Sequence, residues 1–481
     1  MNRSACLVLA VVLILTISLP GSAKSPAAAP TWNSIIYYYN PSTAGKLTAS
    51  FIGSGTTTPP DVNQDVAANG FGQIMVGSTG DFKGAAMLSA DVPLAAVYKQ
   101  SDAGNGAYAP VLYSSFDASQ AGTSGKFYVP SVVHQGYYVS KIGIQNVETE
   151  DVSLGLDFYD GTTGLKVNTS MPPITVAAEG SFVFEMTDVD VPGIGSSFNG
   201  SLVITATKVA GGGNARVVAA VEELQSQGQR SYAFEGSGNP APIVYMPSAA
   251  CRYTTKLLTS YFAVQNAGST DATITVTYYS SAGVVLATHA AGTVKPGAKI
   301  SINTCDAKVY AKMNGKFGTA VITSTQPVVV VGKVNSNDGL ATAYLGQSAG
   351  SNRVLLPYVV FDKKVKGSIS LTTTQIIIMN VSATAASSVK VNFYYKVTDV
   401  SYKFQTTTLA TATTTLKKFG VISTLPKVSG AALDGNGNYL GAVEVVTNQP
   451  VVVLARVTQT VTGVPGITTL GEDYGGIPAM P

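Results

Sequence analysis

Ala272-Thr273-Ile274-Thr275-Val276-Thr277-Tyr278-Tyr279 alternates apolar and polar side chains, the period-2 mark of a strand with one buried face. Ser280-Ser281-Ala282-Gly283 follows with turn chemistry, and Val284-Val285-Leu286-Ala287 resumes a strand. Lys295-Pro296-Gly297 is a second turn, ahead of Lys299-Ile300-Ser301-Ile302-Asn303. Thr319–Thr323 and Val328–Val334 read as two more strands, joined across a turn at Ser324-Thr325-Gln326-Pro327. With strands around Met246 and Phe262 this makes about seven, with turn signals every ~8–12 residues and no helical period. That pattern predicts a two-sheet antiparallel β-sandwich of immunoglobulin-like size.

The same grammar recurs along the chain. Ile144-Gln145-Asn146, Val264-Gln265-Asn266 and Ile378-Met379-Asn380 each precede small polar residues. An alternating strand then ends in an aromatic pair: Phe158-Tyr159, Tyr278-Tyr279 and Tyr394-Tyr395. A fainter copy runs from Tyr38-Tyr39-Asn40 to Phe51-Ile52. The second halves repeat too. Phe317-Gly318-Thr319-Ala320-Val321 leads to Gln326-Pro327 and Val328–Val331, and Tyr439-Leu440-Gly441-Ala442-Val443 leads to Gln449-Pro450 and Val451–Leu454. Units close on Tyr108, Tyr232, Tyr344 and Tyr474, and Val129-Pro130, Met246-Pro247 and Leu356-Pro357 open the next ones. The fold class expected is all-β: four tandem antiparallel immunoglobulin-like β-sandwich modules after a cleaved signal peptide. Their limits read 24–108 (a degenerate copy, short at its front), 126–233, 243–344 and 354–474, after a signal at 1–23.

The signal reading rests on Arg3, the apolar run Leu7–Leu19, the helix breakers Pro20-Gly21 and the small residues ending at Ala23. The run is shorter than the ~20 residues that span a bilayer. Secretion follows as the expectation, to the extracellular space or cell surface, with the periplasm open. Removal of the leader takes Cys6 and leaves Cys251 and Cys305, an even pair expected to form a disulfide in an oxidising compartment. It would stabilise by roughly 4 kcal/mol in the chain-entropy picture; two buried free thiols are the alternative.

The run from Asn266-Ala267-Gly268-Ser269-Thr270 through Tyr278-Tyr279 resembles the first half of CARDB-type and related immunoglobulin-like modules of bacterial surface and secreted proteins. The resemblance covers the chain after about residue 30 in the repeat sense. It implies extracellular spacing, adhesion or assembly, and no chemistry.

Composition narrows the function. Among 481 residues only 12% are charged, and Lys+Arg 30 against Asp+Glu 27 leaves a net charge of +3. A nucleic-acid binder needs a concentrated basic face, so that class is set aside. Two His, three Cys and one Trp give little material for a metal or catalytic centre. Gly346-Gln347-Ser348-Ala349-Gly350 matches a nucleophile-elbow string, but it lies in a joint without the strand–helix context that motif needs. His134 and His289 read as isolated surface residues. Asp434-Gly435-Asn436-Gly437-Asn438 lacks the Gly and Glu that a calcium loop wants at its sixth and twelfth places. Asp188 with Asp190, and Asp157 with Asp160, are weak acidic pairs. Asn168, Asn199 and Asn380 head formal glycosylation sequons. No catalytic, cofactor-binding or metal residue is assigned, and no cofactor.

The unalternating runs Val328, Val329, Val330, Val331 and Val451, Val452, Val453 are the candidate interface. A strand apolar on both faces is covered by a neighbouring module or chain; plain β-branched preference is the other explanation. The reading is a non-enzymatic structural or adhesive surface protein. Its partners are a second copy of itself or components of the cell surface and extracellular matrix. A carbohydrate- or surface-ligand-binding protein is the alternative, drawn from the aromatic pairs, since an alternating strand turns one residue of each pair outward.

Overall fold

The structure, a computed structural model, describes residues 7–13, 32–54, 58–77, 83–102, 110–117, 120–136, 138–225, 230–364, 369–463 and 466–479. The predicted leader-cleavage region and Tyr108 lie outside these residues. Among the described residues regular structure is almost entirely strand, in several antiparallel sheets, with a short α-helix at Tyr310–Met313 and a 3-10 turn at Gly430–Ala432.

The strands fall into four consecutive sets with one pairing plan. The first set has an opening strand Leu7–Leu13, a second Trp32–Tyr39, third Gly45–Ser54, fourth Val62–Val66, fifth Phe71–Gly77, sixth Lys83–Ala90, seventh Ala95–Asp102 and closing Val111–Ser114. One sheet runs fourth–third–sixth–opening and is extended by Phe116–Asp117; the other runs fifth–second–seventh–closing. In the second set the strands are Lys126–Gln135, Tyr138–Asn146, Val152–Asp160, Ile174–Val176, Ser181–Glu185, Ser197–Lys208, Val217–Gln225 and Ser231–Glu235. The opening and second strands also pair at His134 and Val139, which ties its two halves together.

The third set (Ala241–Cys251, Thr259–Asn266, Ala272–Ser280, Val285–Val294, Lys299–Asn303, Lys316–Asn335, Ala341–Leu345) makes one long strand of the sixth and seventh. So does the fourth set: Ser351–Asp362, Ile369–Asn380, Val389–Thr398, Ser401–Ala410, Val421–Thr424, Tyr439–Val461, Thr469–Gly475. The turn expected at Ser324–Pro327 is therefore a crossing, not a reversal. Up to Ser324 the long strand pairs with the third strand, and from Val328 it pairs with the second. Between them Thr325 Oγ1 accepts the Thr273 N–H at 2.9 Å, and Pro327 O accepts the Ala267 N–H at 2.9 Å. Pro327 has no N–H to leave unpaired at such a step.

The recurring Asn has a structural cause. Asn40, Asn146, Asn266 and Asn380 are fully buried. In each, Oδ1 accepts the backbone N–H two residues on: Ser42 at 3.0 Å, Glu148 at 2.9 Å, Gly268 at 2.8 Å and Ser382 at 2.9 Å. Nδ2 donates to carbonyls on both loops: Thr43 and Ala67, Glu150 and Ala177 (with Val176 at 3.4 Å), Thr270 and Val294, Thr384 and Leu416. Each Asn thus pins its own loop and the loop that leads into the fifth strand. Buried amides require such partners.

The closing strand of the first set lies beyond Tyr108. Tyr98 pairs with Tyr113 as Gly332 pairs with Tyr344 and Ala455 with Tyr474, so Tyr113 takes the closing role. Cys251 and Cys305 stand with their sulfurs 2.07 Å apart, at disulfide distance, and tie the end of an opening strand to the loop after a fifth strand. No helix among the described residues is long and apolar enough to cross a membrane.

Candidate functional site: the junctions between strand sets

The four sets close on one another in a cycle. The closing strand Val111–Ser114 packs against Ser231–Glu235, that against Ala341–Leu345, that against Thr469–Gly475, and the last against the first. Farther out, the loop that leads into each fifth strand meets the preceding set. Ser181 Oγ donates to Ile52 O at 3.2 Å. The Tyr159 ring covers Gly297, where φ is +79° and an added Cβ would lie 2.5 Å from the ring. Tyr279 packs against Phe419, with ring centroids 4.8 Å apart and the rings tilted by 57°. Tyr402 packs on Phe71 at 5.2 Å and donates its hydroxyl to Phe71 O at 3.2 Å.

Burial along the third strands explains the aromatic pairs. Phe51, Phe158, Tyr278 and Phe393 point into cores, and the pleat turns the next residue the other way, so that Tyr394, expected as the first of its pair, instead lies against Tyr39 of the first set with ring centroids 5.1 Å apart. Tyr159 and Tyr279 use that direction to cover a junction.

One position is charged in every set. Five residues before each recurring Asn, the second strand pairs with Lys99, Glu222, Lys333 or Arg456 of the seventh strand. Three of these are cations that reach the residue after the opening-strand proline of the set before, or its neighbour. Lys333 Nζ donates to Ser131 Oγ at 2.8 Å and to both Glu223 oxygens at 2.7 and 2.6 Å. Arg456 holds Asp473 through Nε at 2.9 Å and Nη2 at 2.7 Å, and donates to Ser248 Oγ at 3.3 Å. Thr342 Oγ1 also donates to Asp473, at 3.0 Å. Lys99 pairs with Glu472 and lies over the Tyr358 ring, 5.4 Å from its centroid.

The fourth case is inverted. Glu222 is fully buried, and neither carboxylate oxygen meets a donor among the described residues. Burial pushes its carboxyl up to about 8, with Lys141 pulling the other way and Glu185 adding to the rise. Glu235, across from Ser114, is pushed by burial to about 7 although the Ser114 N–H bonds it. The Tyr113 hydroxyl beside them is also without a partner among the described residues. At the junction of the second and third sets, burial brings the Lys299 amine down to about 7, with Lys333 lowering it further; Glu223 and Asp160 oppose. Lys299 Nζ donates to Asn199 Oδ1 at 2.6 Å.

All seven valines of the candidate interface are buried. Val328 and Val330 belong to the third set's own core. Val329 packs with Tyr128 and Val203 of the second set, and Val331 joins the cluster that holds Tyr232 and Phe234. Val451 and Val453 lie in the fourth set's core, while Leu454 joins the third set's.

His289 is a correction: it is buried, not on the surface, with Nε2 3.9 Å from Asp306 Oδ1. His134 is partly exposed. The two lie in different sets. Asp157 pairs with Lys166 at 2.6 Å, and Asp160 caps its own turn at Thr162 and Thr163. Asp188 accepts the Gly195 N–H, and Asp190 the Glu185 N–H. Asp434 Oδ1 accepts the N–H groups of Asn436 and Asn438, an Asx turn. After Gly346-Gln347-Ser348-Ala349-Gly350 the chain enters the strand Ser351–Asp362. Asn380 is consumed by its loop, and Asn199 by Lys299.

The charged position escaped the sequence reading because its sign and identity change from copy to copy. Alignment on the Asn and on the valine runs reveals it, as one charge inside an apolar strand. No known protein family matches the chain, and no curated protein matches it.

Proposed function

We propose that the chain is an exported, non-catalytic structural or adhesive protein of four immunoglobulin-like sandwiches, in the manner of CARDB-type surface modules, closed into one body. One observation carries this reading: the residues that recur are spent on holding sets together. The Asn pins loops, the aromatic pair fills a core and covers a junction, and the charged position joins neighbours. Such a body is a stiff platform that presents its outer loops to a surface or to other chains.

The test is negative-stain electron microscopy with light scattering on the same sample. Compact particles with the mass of one chain, or of a defined oligomer, are expected. Extended four-bead rods would break the closed arrangement, and turnover in a broad hydrolase panel would break the non-catalytic reading.

A second reading has its own observation. A cleft of about 730 Å³ opens between the first and fourth sets, lined by Tyr37, Tyr395, Asp362, Asp434 and Lys396 among others. Aromatic faces beside carboxylates suit a carbohydrate. Binding on a glycan array that is lost in Tyr395→Ala would favour it, and no binding would remove it.

A further inference from the structure

The apolar run that reads as a leader occupies a defined place in the fold. Leu7–Leu13 pairs along Gly84–Ala90 of the sixth strand of the first set, from Leu7 opposite Ala90 to Leu13 opposite Gly84, without a register shift. The other edge of that strand is held by Gly45–Ser54. The same edge is filled in every other set by its opening strand. Phe51, Phe158, Tyr278 and Phe393 mark one equivalent rung, opposite Ala86, Leu202, Ala320 and Val443. On the far side of that rung stand Val11, Val129, Met246 and Leu356. Three of these four are the residues before the opening-strand prolines. The first set has no other opening strand among the described residues. Ala86, Leu88 and Ala90 of the sixth strand are core residues, so an empty edge would expose both ladder groups and apolar surface. An edge strand with unpaired N–H and C=O groups is a template for another strand.

We propose that this edge is a strand-acceptor site and that the segment it takes is Leu7–Leu13 itself. The run then has a second role beyond targeting: it stays with the folded body as the opening strand of the first set. The ligand class is an uncharged, extended, seven-residue apolar strand, recognised through backbone pairing. This rests on the four-sandwich reading and changes the fate of the leader, not the destination of the chain.

The experiment compares the full chain with a chain that starts at Lys24, both made by cell-free synthesis. Amide exchange is read across Gly84–Ala90. In an antiparallel ladder alternate N–H groups face opposite neighbours. Loss of protection is expected at alternate amides of the shortened chain, while those that face Gly45–Ser54 stay slow. A synthetic Leu7–Leu13 peptide with lysine flanks restores the lost amides; a proline-substituted peptide does not. Equal protection in both chains, or no response to the peptide, overturns the proposal. Recovery on concentration alone, without peptide, means that a second copy supplies the strand, and overturns Leu7–Leu13 as the occupant.

If the shortened chain does not fold, the full chain with Val11→Pro and Val12→Pro decides. One of two adjacent residues must face the sixth strand, so the same alternate amides lose protection, and unchanged exchange overturns the assignment. The intact mass of chain recovered from a secreting host is the last arm. Folded protein that begins at Lys24 overturns retention. Chain that is never exported sinks the export reading and leaves the cell-free result standing.

Discussion

The junction between the second and third sets and the junction between the first and second are built on one plan with opposite charge. At the former, Lys333 reaches across to Ser131 and Glu223, and every oxygen of Glu223 meets a donor. At the latter, the equivalent residue is Glu222, buried and, among the described residues, without a donor, beside a Tyr113 hydroxyl that likewise has no partner among them. A buried ion pair is costly to break because the survivor stays desolvated. A lone buried carboxylate is costly to ionise and holds its proton instead. The comparison teaches that the repeat conserves a position for junction contact rather than a particular bond.

The largest effect is expected where the pair is most enclosed. Arg456 and Asp473 are both buried, and Arg456→Met leaves Asp473, among the described residues, with Thr342 as its remaining side-chain donor. A loss of about 3–5 kcal/mol is expected in denaturant unfolding at neutral pH. A loss under 1 kcal/mol would mean that this junction carries little of the stability. Lys333→Met should cost less, roughly 2–3 kcal/mol, because the Lys333 side chain is 18% exposed and water can reach Glu223 in its place. Equal losses at the two sites would remove enclosure as the deciding variable.

Glu222→Gln should act in the opposite direction. The folded carboxyl titrates near 8 against an ordinary 4.5. Between those values the native state holds a proton that the unfolded chain has lost, so stability falls as pH rises from about 5 to 8. The amide removes that slope. Near pH 4 the variant is expected to match the parent, and by pH 8 to be clearly the more stable of the two. A variant that is less stable at every pH would show that Glu222 has a partner bond of real strength.

Much of this plan is legible in the sequence, and the reasons for the remainder are physical. Alternation from Ala272 to Tyr278 declares a strand because the pleat is a local property. Asn266 and Asn380 recur because one side chain makes three bonds whose geometry the loop dictates. The crossing at Gln326-Pro327 looked like a turn because Pro and a polar run mark both a reversal and a change of sheet. Val329 and Val331 hinted at a covered outer face, but which body covers it depends on the angle between sets, and no local pattern encodes that. The position of Lys99, Glu222, Lys333 and Arg456 is set by contacts more than a hundred residues away in three of the four sets, so sign and size vary while place does not.

Lys299 gives the sharpest test of the contrast. Its amine titrates near 7 in the folded chain against an ordinary 10.5, and it faces Lys333, Glu223 and Asp160. Below pH 7 both states carry the proton and the full desolvation cost is present. Between 7 and 10.5 the unfolded chain binds a proton that the native state does not, so this residue makes stability rise with pH. The first junction therefore weakens with alkali over the lower part of the range while the second recovers over the upper part. Lys299→Met abolishes the rise but also loses the 2.6 Å bond to Asn199. Near pH 7 the relieved desolvation outweighs the lost bond, worth about 1 kcal/mol, and the variant is expected to be more stable than the parent. At pH 10 only the lost bond remains, and the variant falls below the parent. Thermal unfolding of both proteins at the two pH values reads this crossing. Parallel curves would mean that the amine stays charged in the fold and that Asn199 and the nearby carboxylates hold it as a second cation of that junction, beside Lys333.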